Sequence, residues 1–399
     1  MKFDPVKVVH VYYQPAATKI FVGRLALKAR KIFFEYDASF MESRLNLSPF
    51  KLPLKSGVIT SNDFIFDGLF GVFNDSLPDG WGRLLLDRAL IKHKINPGGL
   101  SVLDRLCFVG SNGMGALVYE PEAEHLPATR HDSLDEIADE IATLQDHNDD
   151  KYVEDLLTLN GSSNGARPKV LMNLESEHWL IKFPSSTDPQ DIGAIEYAYY
   201  LMAKDAGLDV PKAKLFPSRN GIGFFGSQRF DKTDHSRIHI HSIGGLLHAD
   251  HRTPCLDYAM ILKATMHLTR NMQACEKQYR ACVFNVLSHN RDDHAKNFSF
   301  LMNTQGVWCV SPAYDLTFSS GPSAEHCSMV MGEGKRPGIS ELLALAQISN
   351  IKKSDALQMI NQVKSSVSKW SQFAKDVGVS KASTRLVHSA IEKIIKDNF

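Results

Sequence analysis

The strongest constraint in this sequence is a long apolar helix that runs straight into a block of polar residues. Met272, Cys275, Tyr279, Cys282/Val283 and Val286/Leu287 recur at i, i+3, i+7, i+10/11 and i+14, the single stripe of a buried helix. HNRDDHAKNFSF (289–300) follows directly and delivers many polar groups to one buried edge. The chain has 399 residues, 43 % hydrophobic and 23 % charged, enough for two or three domains that each bury a core. Its 45 Lys and Arg balance 45 Asp and Glu, which argues against a generally basic nucleic-acid coat or a polybasic membrane anchor. Six scattered cysteines without a CxxC pair read as reduced, cytosolic and free of disulfides. MKFDPVKVVHVYYQ has no stretch apolar enough for a signal peptide, and no run of about 18 apolar residues occurs. A cytoplasmic chain with no membrane segment is therefore expected.

The organisation upstream is β-rich. VVHVYY (8–13) and KIFFEYD (31–37) read as strands, and SLPDGWGR (76–83) punctuates a loop-rich stretch before a helix that stops at Pro97-Gly98. A capping box at Ser133–Glu136 opens an acidic helix to about Gln145. DHNDDKYVED (146–155) reads as a boundary. KVLMN (169–173) and HWLIKF (178–183) form an apparent strand pair, and a helix over 191–206 is stopped by Gly207 at C′. KLFP and GIGFFGSQRFD read as strands; beyond residue 250 the period is helical, with Ala356, Ile360, Val363, Val367 and Trp370 repeating the stripe. The expected fold is α+β and two-lobed, divided into 1–148 (β-rich), 149–245 (a lobe with Gly-rich loop, lysine strand and hinge) and 246–399 (helical).

Four elements carry chemistry. Asp292 and Asn297 stand five apart, the D-x-x-x-x-N spacing in which an Asp accepts a hydroxyl proton and an Asn oxygen binds Mg²⁺ in kinases. A polar turn at a helix end fits the same residues. Asp315, in VSPAYDLTFS (310–319), could hold Mg²⁺ against phosphates or be a turn residue. Lys182 faces away from Ile181 and Phe183, with Glu196 on the next helix as a possible partner; the alternative is an edge lysine reaching solvent. GSSNGARPK (161–169) could cradle phosphate or be a plain linker. Lys169 comes too late for a Walker A motif. The order of these elements along the chain is that of an ATP phosphotransferase.

SLPDGWGR, GSSNGARPK, WLIKFPS, IEYAYYLMAKDAGLDVP, SQRFDK, RDDHAKNFSF and SPAYDL together resemble the HipA family of bacterial serine/threonine kinases, over about residues 5 to 320. The family comprises the toxins of HipA–HipB toxin–antitoxin modules. The resemblance implies a two-lobed protein-kinase-like fold related to phosphatidylinositol kinases, with a β-rich N-terminal lobe and a helical C-terminal lobe. It implies ATP and Mg²⁺ as cofactors, Asp292 as base, Asn297 and Asp315 as metal ligands, and Lys182 on the ATP phosphates. Gln228, Phe230 and Asp231 would form the hinge for adenine and ribose, although the family often has Glu where Gln228 stands. Ser162, Ser163 and Gly165 would lie in the nucleotide loop, with Ser162 or its neighbour Ser163 autophosphorylated. His294 would support the catalytic loop. Asp293, where the family more often has Gly or Asn, would either raise the pKa of Asp292 or point to solvent. The implied partners are a HipB-like helix-turn-helix antitoxin, operator DNA reached mainly through it, and an aminoacyl-tRNA synthetase as substrate.

Other features weigh less. His235, His239, His241, His248 and His251 could conceivably bind zinc, but surface or cleft lining is the expectation. GEGKRPG (332–338) reads as a mobile exposed connector, and Trp370 and Phe373 as core. A small-molecule phosphotransferase and a non-catalytic corepressor are the rival functions.

Overall fold

The computed structural model describes residues 4–61, 64–123, 131, 133–146, 149–161, 165–219 and 221–399. The first unit is a five-stranded antiparallel sheet built from β1 (Val8–Tyr13), β2 (Ile20–Lys28), β3 (Lys31–Tyr36), β4 (Val58–Thr60) and β5 (Leu117–Glu120), ordered β4-β3-β2-β1-β5. Alternation decides its faces: Val9, Val11 and Tyr13 are buried, whereas Val8 and His10 are exposed. The second unit is a four-stranded sheet, β6 (Lys169–Leu174), β7 (Glu177–Lys182), β8 (Ala213–Phe216) and β9 (Phe224–Gln228), ordered β6-β7-β9-β8. Glu175 and Ser176 both take positive φ, 53° and 63°, as the two-residue turn between β6 and β7 requires. That turn sets Lys169 directly opposite Lys182.

Trp179, Ile181 and Phe183 point to the back of this sheet. They share one core with Trp81 and Leu85 of helix Gly80–Lys92, Ile137 and Ile141 of helix Leu134–Asp146, and Leu156 of helix Val153–Asn160. Helices on both sides of residue 148 thus pack on the same sheet. Helix Ile192–Asp205 ends as its sequence demands, with Gly207 at φ 78°. Its Tyr199 hydroxyl donates to Ser288 O at 2.6 Å and its ring meets Trp370 at 5.3 Å, which docks the helix onto the third unit.

That unit is chiefly helical. Helix Met272–Leu287 is buried on every side from Ala281 to Leu287. Two small sheets interrupt the helices. β10 (His239–Ser242), β12 (Ser299–Met302) and β13 (Trp308–Val310) form one, and β11 (Leu256–Asp257) and β14 (Ser328–Met329) form the other. β10 precedes residue 245 but pairs with β12, on the far side of that position. The stripe ending at Trp370 is two helices, Lys353–Val367 and Trp370–Asp376, because the chain turns at Ser368–Lys369. Trp370 is fully buried, and Phe373 packs against the same core. Among the described residues, no helix is long and apolar enough to cross a membrane.

The histidines correct an expectation. His239 and His241 share one face of β10 and are completely buried rather than lining the surface or the cleft. They seat the first unit: His239 Nε2 meets Leu47 O at 2.9 Å, while His241 meets Ser48 Oγ at 3.0 Å and Asp75 Oδ2 at 2.6 Å. His248 Nε2 accepts from Gly71 N at 3.0 Å. Of these five histidines only His235 is exposed, and His251 is half-buried beside Asp79. No group of three or more His, Cys, Asp or Glu side chains among the described residues is arranged to hold a metal ion. The GEGKRPG segment is tied down rather than loose, with Gly332 N bonded to Asp257 at 2.7 Å and Lys335 O to Arg291 at 3.1 Å.

The seam is tightest where helix Gly71–Asn74 crosses helix Ile243–Leu247, because a Cβ at Gly71 would stand 1.9 Å from Gly245 O. Backbone opposes backbone there and neither can yield. Gly71→Ala is expected to cost about 3 kcal/mol, the upper end for overpacking, read as a lowered denaturation midpoint. An unchanged midpoint would show that the units do not dock in this way.

Candidate active site

Lys182 leaves β7 on the face opposite Ile181 and enters the cleft between the four-stranded sheet and the helical unit. Its ammonium lies 2.9 Å from Glu196 Oε2 and also bonds Asp315 Oδ1. The other Glu196 oxygen accepts from Arg167 at 3.2 Å, and Arg167 is held in turn by Asp188 at 3.2 Å. Burial works against the Lys182 charge, but Asp315 and Glu196 outweigh it and hold its pKa above that of an ordinary lysine. Burial likewise opposes ionisation of Asp315, yet Lys182 and then Lys169 hold that carboxyl well below the usual range. Asp315 adopts φ 58°, the left-handed region, which a short polar side chain tolerates better than most.

Lys169 is the second lysine of the cleft. It is buried, and desolvation pushes its pKa down. Gly165 has φ 112°, which requires glycine, and the lack of a side chain leaves room for Lys169 Nζ, which would stand 2.2 Å from a Cβ there. Ser162 and Ser163 lie outside the described residues.

The loop after helix Met272–Leu287 supplies the opposite wall. His294 caps the short turn Ala295–Asn297, its Nδ1 accepting from Lys296 N at 3.2 Å. Asn297 donates Nδ2 to Asp292 O at 2.6 Å and lines the cleft together with His294 and Asp315. Asp292 stands at the rim, exposed, and does not line the cavity itself. Surrounding protein raises its pKa first; His294 and Arg167 pull it down, Asp315 and Asp293 push it up, and the net shift is upward. Asp293 does not point to solvent. It is buried and accepts from Tyr258 OH at 2.8 Å and Ser328 N at 3.2 Å, with His326 Nδ1 at 2.9 Å. Its work is to anchor the loop, and it is the least of the influences named on Asp292.

Leu180, Val210, Ala213, Phe225 and Leu316 form an apolar slot that ends at Gln228, Phe230 and Asp231. The Gln228 N–H is already used on Lys212 O at 2.8 Å. The Phe230 ring meets that of Tyr314 at 5.7 Å, tilted by 39°. The Asp231 carboxylate is buried and paired: Arg229 holds it at 2.9 and 2.7 Å and the Gly115 N–H donates to it at 2.7 Å. It ties the end of the slot to the first unit through Gly115.

Sequence reasoning missed Arg167, Lys296 and Asp79. Asp79, from SLPDGWGR, accepts from Lys296 Nζ at 2.8 Å and from Gly165 N, with His251 at 3.6 Å. Burial opposes its charge, but Lys296 and the Gly165 N–H hold its pKa below the ordinary value. Pro-Asp-Gly punctuation and a family resemblance marked that stretch, but the first signals a turn rather than a destination and the second assigned Asp79 no role.

The fold and the cleft define a two-lobed kinase-like protein. A HipA-like C-terminal domain matches residues 161–371 and a HipA N-terminal domain matches residues 16–120; the chain belongs to the HipA family. A chain in the solved complex of Shewanella oneidensis MR-1 HipA, HipB and operator DNA superposes with TM-score 0.70 at 16 % identity, covering 97 % of this chain and 96 % of that one. Two Sinorhizobium fredii proteins, both described as candidate kinases, are related in sequence. Y4dM is 29 % identical over 151 residues, 35 % of this chain and only 36 % of its own length. Y4mE is 26 % identical over 370 residues, 81 % of this chain and 77 % of its own.

The low folded pKa of Asp315 and the high one of Lys182 set a pH window. The carboxylate's stabilisation is complete above its unfolded value, about 3.9, and fades as pH falls toward the folded value. That of the ammonium is complete below about 10.4 and is lost above its folded value. Lys182→Met is therefore expected to cost about 3 kcal/mol at pH 7, with the deficit narrowing toward pH 3. Thermal melts across that range would show it, and a deficit that ignores pH would refute the pairing.

Proposed function

We propose that this chain is an ATP- and Mg²⁺-dependent protein serine/threonine kinase acting as a HipA-type toxin in the cytoplasm. The observation that carries the reading is the convergence of Lys182, Glu196 and Asp315 in one cleft with Asn297, at whose rim Asp292 stands. In this reading Lys182 takes the ATP phosphates, and the slot from Leu180 to Phe230 takes the base. Asp315 and Asn297 fit Mg²⁺ chemically: one carboxylate and one amide carbonyl are hard oxygen donors, and the ion usually completes its shell with phosphate and water. The Asn297 amide nitrogen is turned to Asp292 O, which leaves its carbonyl oxygen as the end able to coordinate. When bound, the ion neutralises charge on the transferring phosphoryl group.

This chain's own residues do the remaining work. Asp292 orients the acceptor hydroxyl and takes its proton as the new P–O bond forms and the bond from the γ-phosphorus to the β–γ bridging oxygen breaks. Its raised pKa suits a base that must also release the proton. Lys169, Lys182 and Arg167 supply the positive field.

A loop serine, Ser162 or Ser163, is the proposed autophosphorylation site. A phosphate of about −1.5 to −2 charge would compete for the same cations and switch the enzyme off. The proposed partners are a HipB-like antitoxin, with operator DNA bound chiefly through it, and an aminoacyl-tRNA synthetase as substrate. The solved relative assembled with HipB and operator DNA supports the first two.

Incubation with labelled ATP, Mg²⁺ and cell lysate, followed by site mapping, tests the reading. The wild-type chain is expected to label Ser162 or Ser163 and at least one other protein. Asp292→Asn should lower transfer about 10²- to 10⁴-fold while nucleotide binding persists. Transfer at the wild-type rate in that variant would remove Asp292 from the chemistry. The wild-type rate should rise with pH through a midpoint above about 4, the usual carboxylate value; a midpoint at or below it would contradict the raised pKa.

A further inference from the structure

The loop Leu77-Pro78-Asp79-Gly80 belongs to the segment before residue 148, yet it reaches into the nucleotide cleft. Asp79 occupies the N-cap of helix Gly80–Lys92 without capping it, because its carboxylate makes no bond to that helix's own amides. An Asp at this position ordinarily accepts from the second or third helical N–H. Here one oxygen accepts from Gly165 N, at the exit of the Gly-rich loop, and the other from Lys296 Nζ in the catalytic loop. The strap is fastened immediately after Asp79. Trp81 N donates to Gly165 O at 3.0 Å, and the Trp81 side chain is buried in the core behind β6 and β7. Gly80 lies so close that a Cβ on it would stand 2.6 Å from both Ala166 Cα and Gly165 O.

We infer that Asp79 is a positioning residue through which the segment before the kinase lobes fixes the exit of the phosphate loop against the catalytic loop. It touches neither reacting atom. It sets the separation of the two walls between which the triphosphate must fit, and it balances the Lys296 charge before nucleotide arrives. The inference rests on the kinase reading of the cleft for its consequence, but not for the bridge itself.

Two readouts test it: hydrogen exchange over residues 165–170, and the KM values for ATP and for the acceptor protein. Asp79→Ala is expected to speed exchange there and to raise the KM for ATP about tenfold, the worth of one charged hydrogen bond. The KM for the acceptor should stay within about twofold of wild type, since the acceptor lies at the Asp292 end of the cleft. Asp79→Asn keeps an oxygen for the Gly165 N–H but not the charge facing Lys296. It should restore protection of the loop while recovering the KM only in part. If Ala and Asn behave alike, or neither moves exchange or the KM, the bridge has no positioning role. If the Ala variant does not fold, the KM for ATP of the Asn variant against wild type decides: a raised value shows that the charge facing Lys296 matters, and an unchanged value overturns the inference. A wild-type chain that binds no ATP would overturn the kinase reading, and the exchange comparison would still decide the bridge.

Discussion

A lysine ammonium held between two carboxylates inside a cleft is the constraint on which this structure turns. Lys182 comes from a strand, Glu196 from the following helix and Asp315 from a turn far downstream, so the triad forms only when the lobes are correctly placed. Desolvation makes such a cluster costly, and removal of one member leaves an uncompensated buried charge. A cluster of this kind is a weak source of stability in itself, but it is a stringent reporter of geometry. Arg167 extends it by gripping the second Glu196 oxygen, and Lys169 stands across the β6–β7 register from Lys182. The cleft thus sets Lys169, Lys182, Arg167 and Lys296 against Glu196, Asp315 and Asp79. On the proposed function, a metal-bound triphosphate would enter a field already balanced and redistribute it rather than create it.

The first sheet takes part in this arrangement. Asp75 accepts from His241 and from the Ser242 backbone and hydroxyl at 2.6–2.7 Å, and Gly71 meets Gly245 backbone to backbone. Four residues on from Asp75, Asp79 bridges Gly165, at the end of the glycine-rich loop, and Lys296, in the loop after helix Met272–Leu287. One short stretch of chain therefore joins the helical lobe, the glycine-rich loop and the loop that bears Asp292. The order of the cleft depends on the first unit's being docked.

Much of this was legible from residue spacing, and the parts that were not share a physical reason. Period-two alternation placed Lys182 opposite Ile181 and Phe183, and period-3.6 recurrence found helix Met272–Leu287, because burial of one face dictates both patterns. Gly207 announced a helix end through its left-handed φ. Asp293 and the histidines of β10 read differently once folded: their partners, Tyr258, His326, Leu47, Ser48 and Asp75, lie far away in sequence. Local pattern carries no record of such long-range pairings. Asp79 and Arg167 were hidden for the same reason: their segments were marked by glycines, a proline and a resemblance, but the partners that give these two side chains their roles lie far away in sequence. The break at Ser368–Lys369 was invisible because the apolar stripe continues in phase across it.

The most direct measurement of the central claim is a structure of the protein with a non-hydrolysable ATP analogue and Mg²⁺. The account predicts phosphate against Lys182, the ion shared by Asp315 and Asn297, the base in the slot ending at Phe230, and Asp292 facing the γ-phosphate from the rim. An analogue bound elsewhere, or an ion that leaves Asp315 and Asn297 untouched, would contradict it.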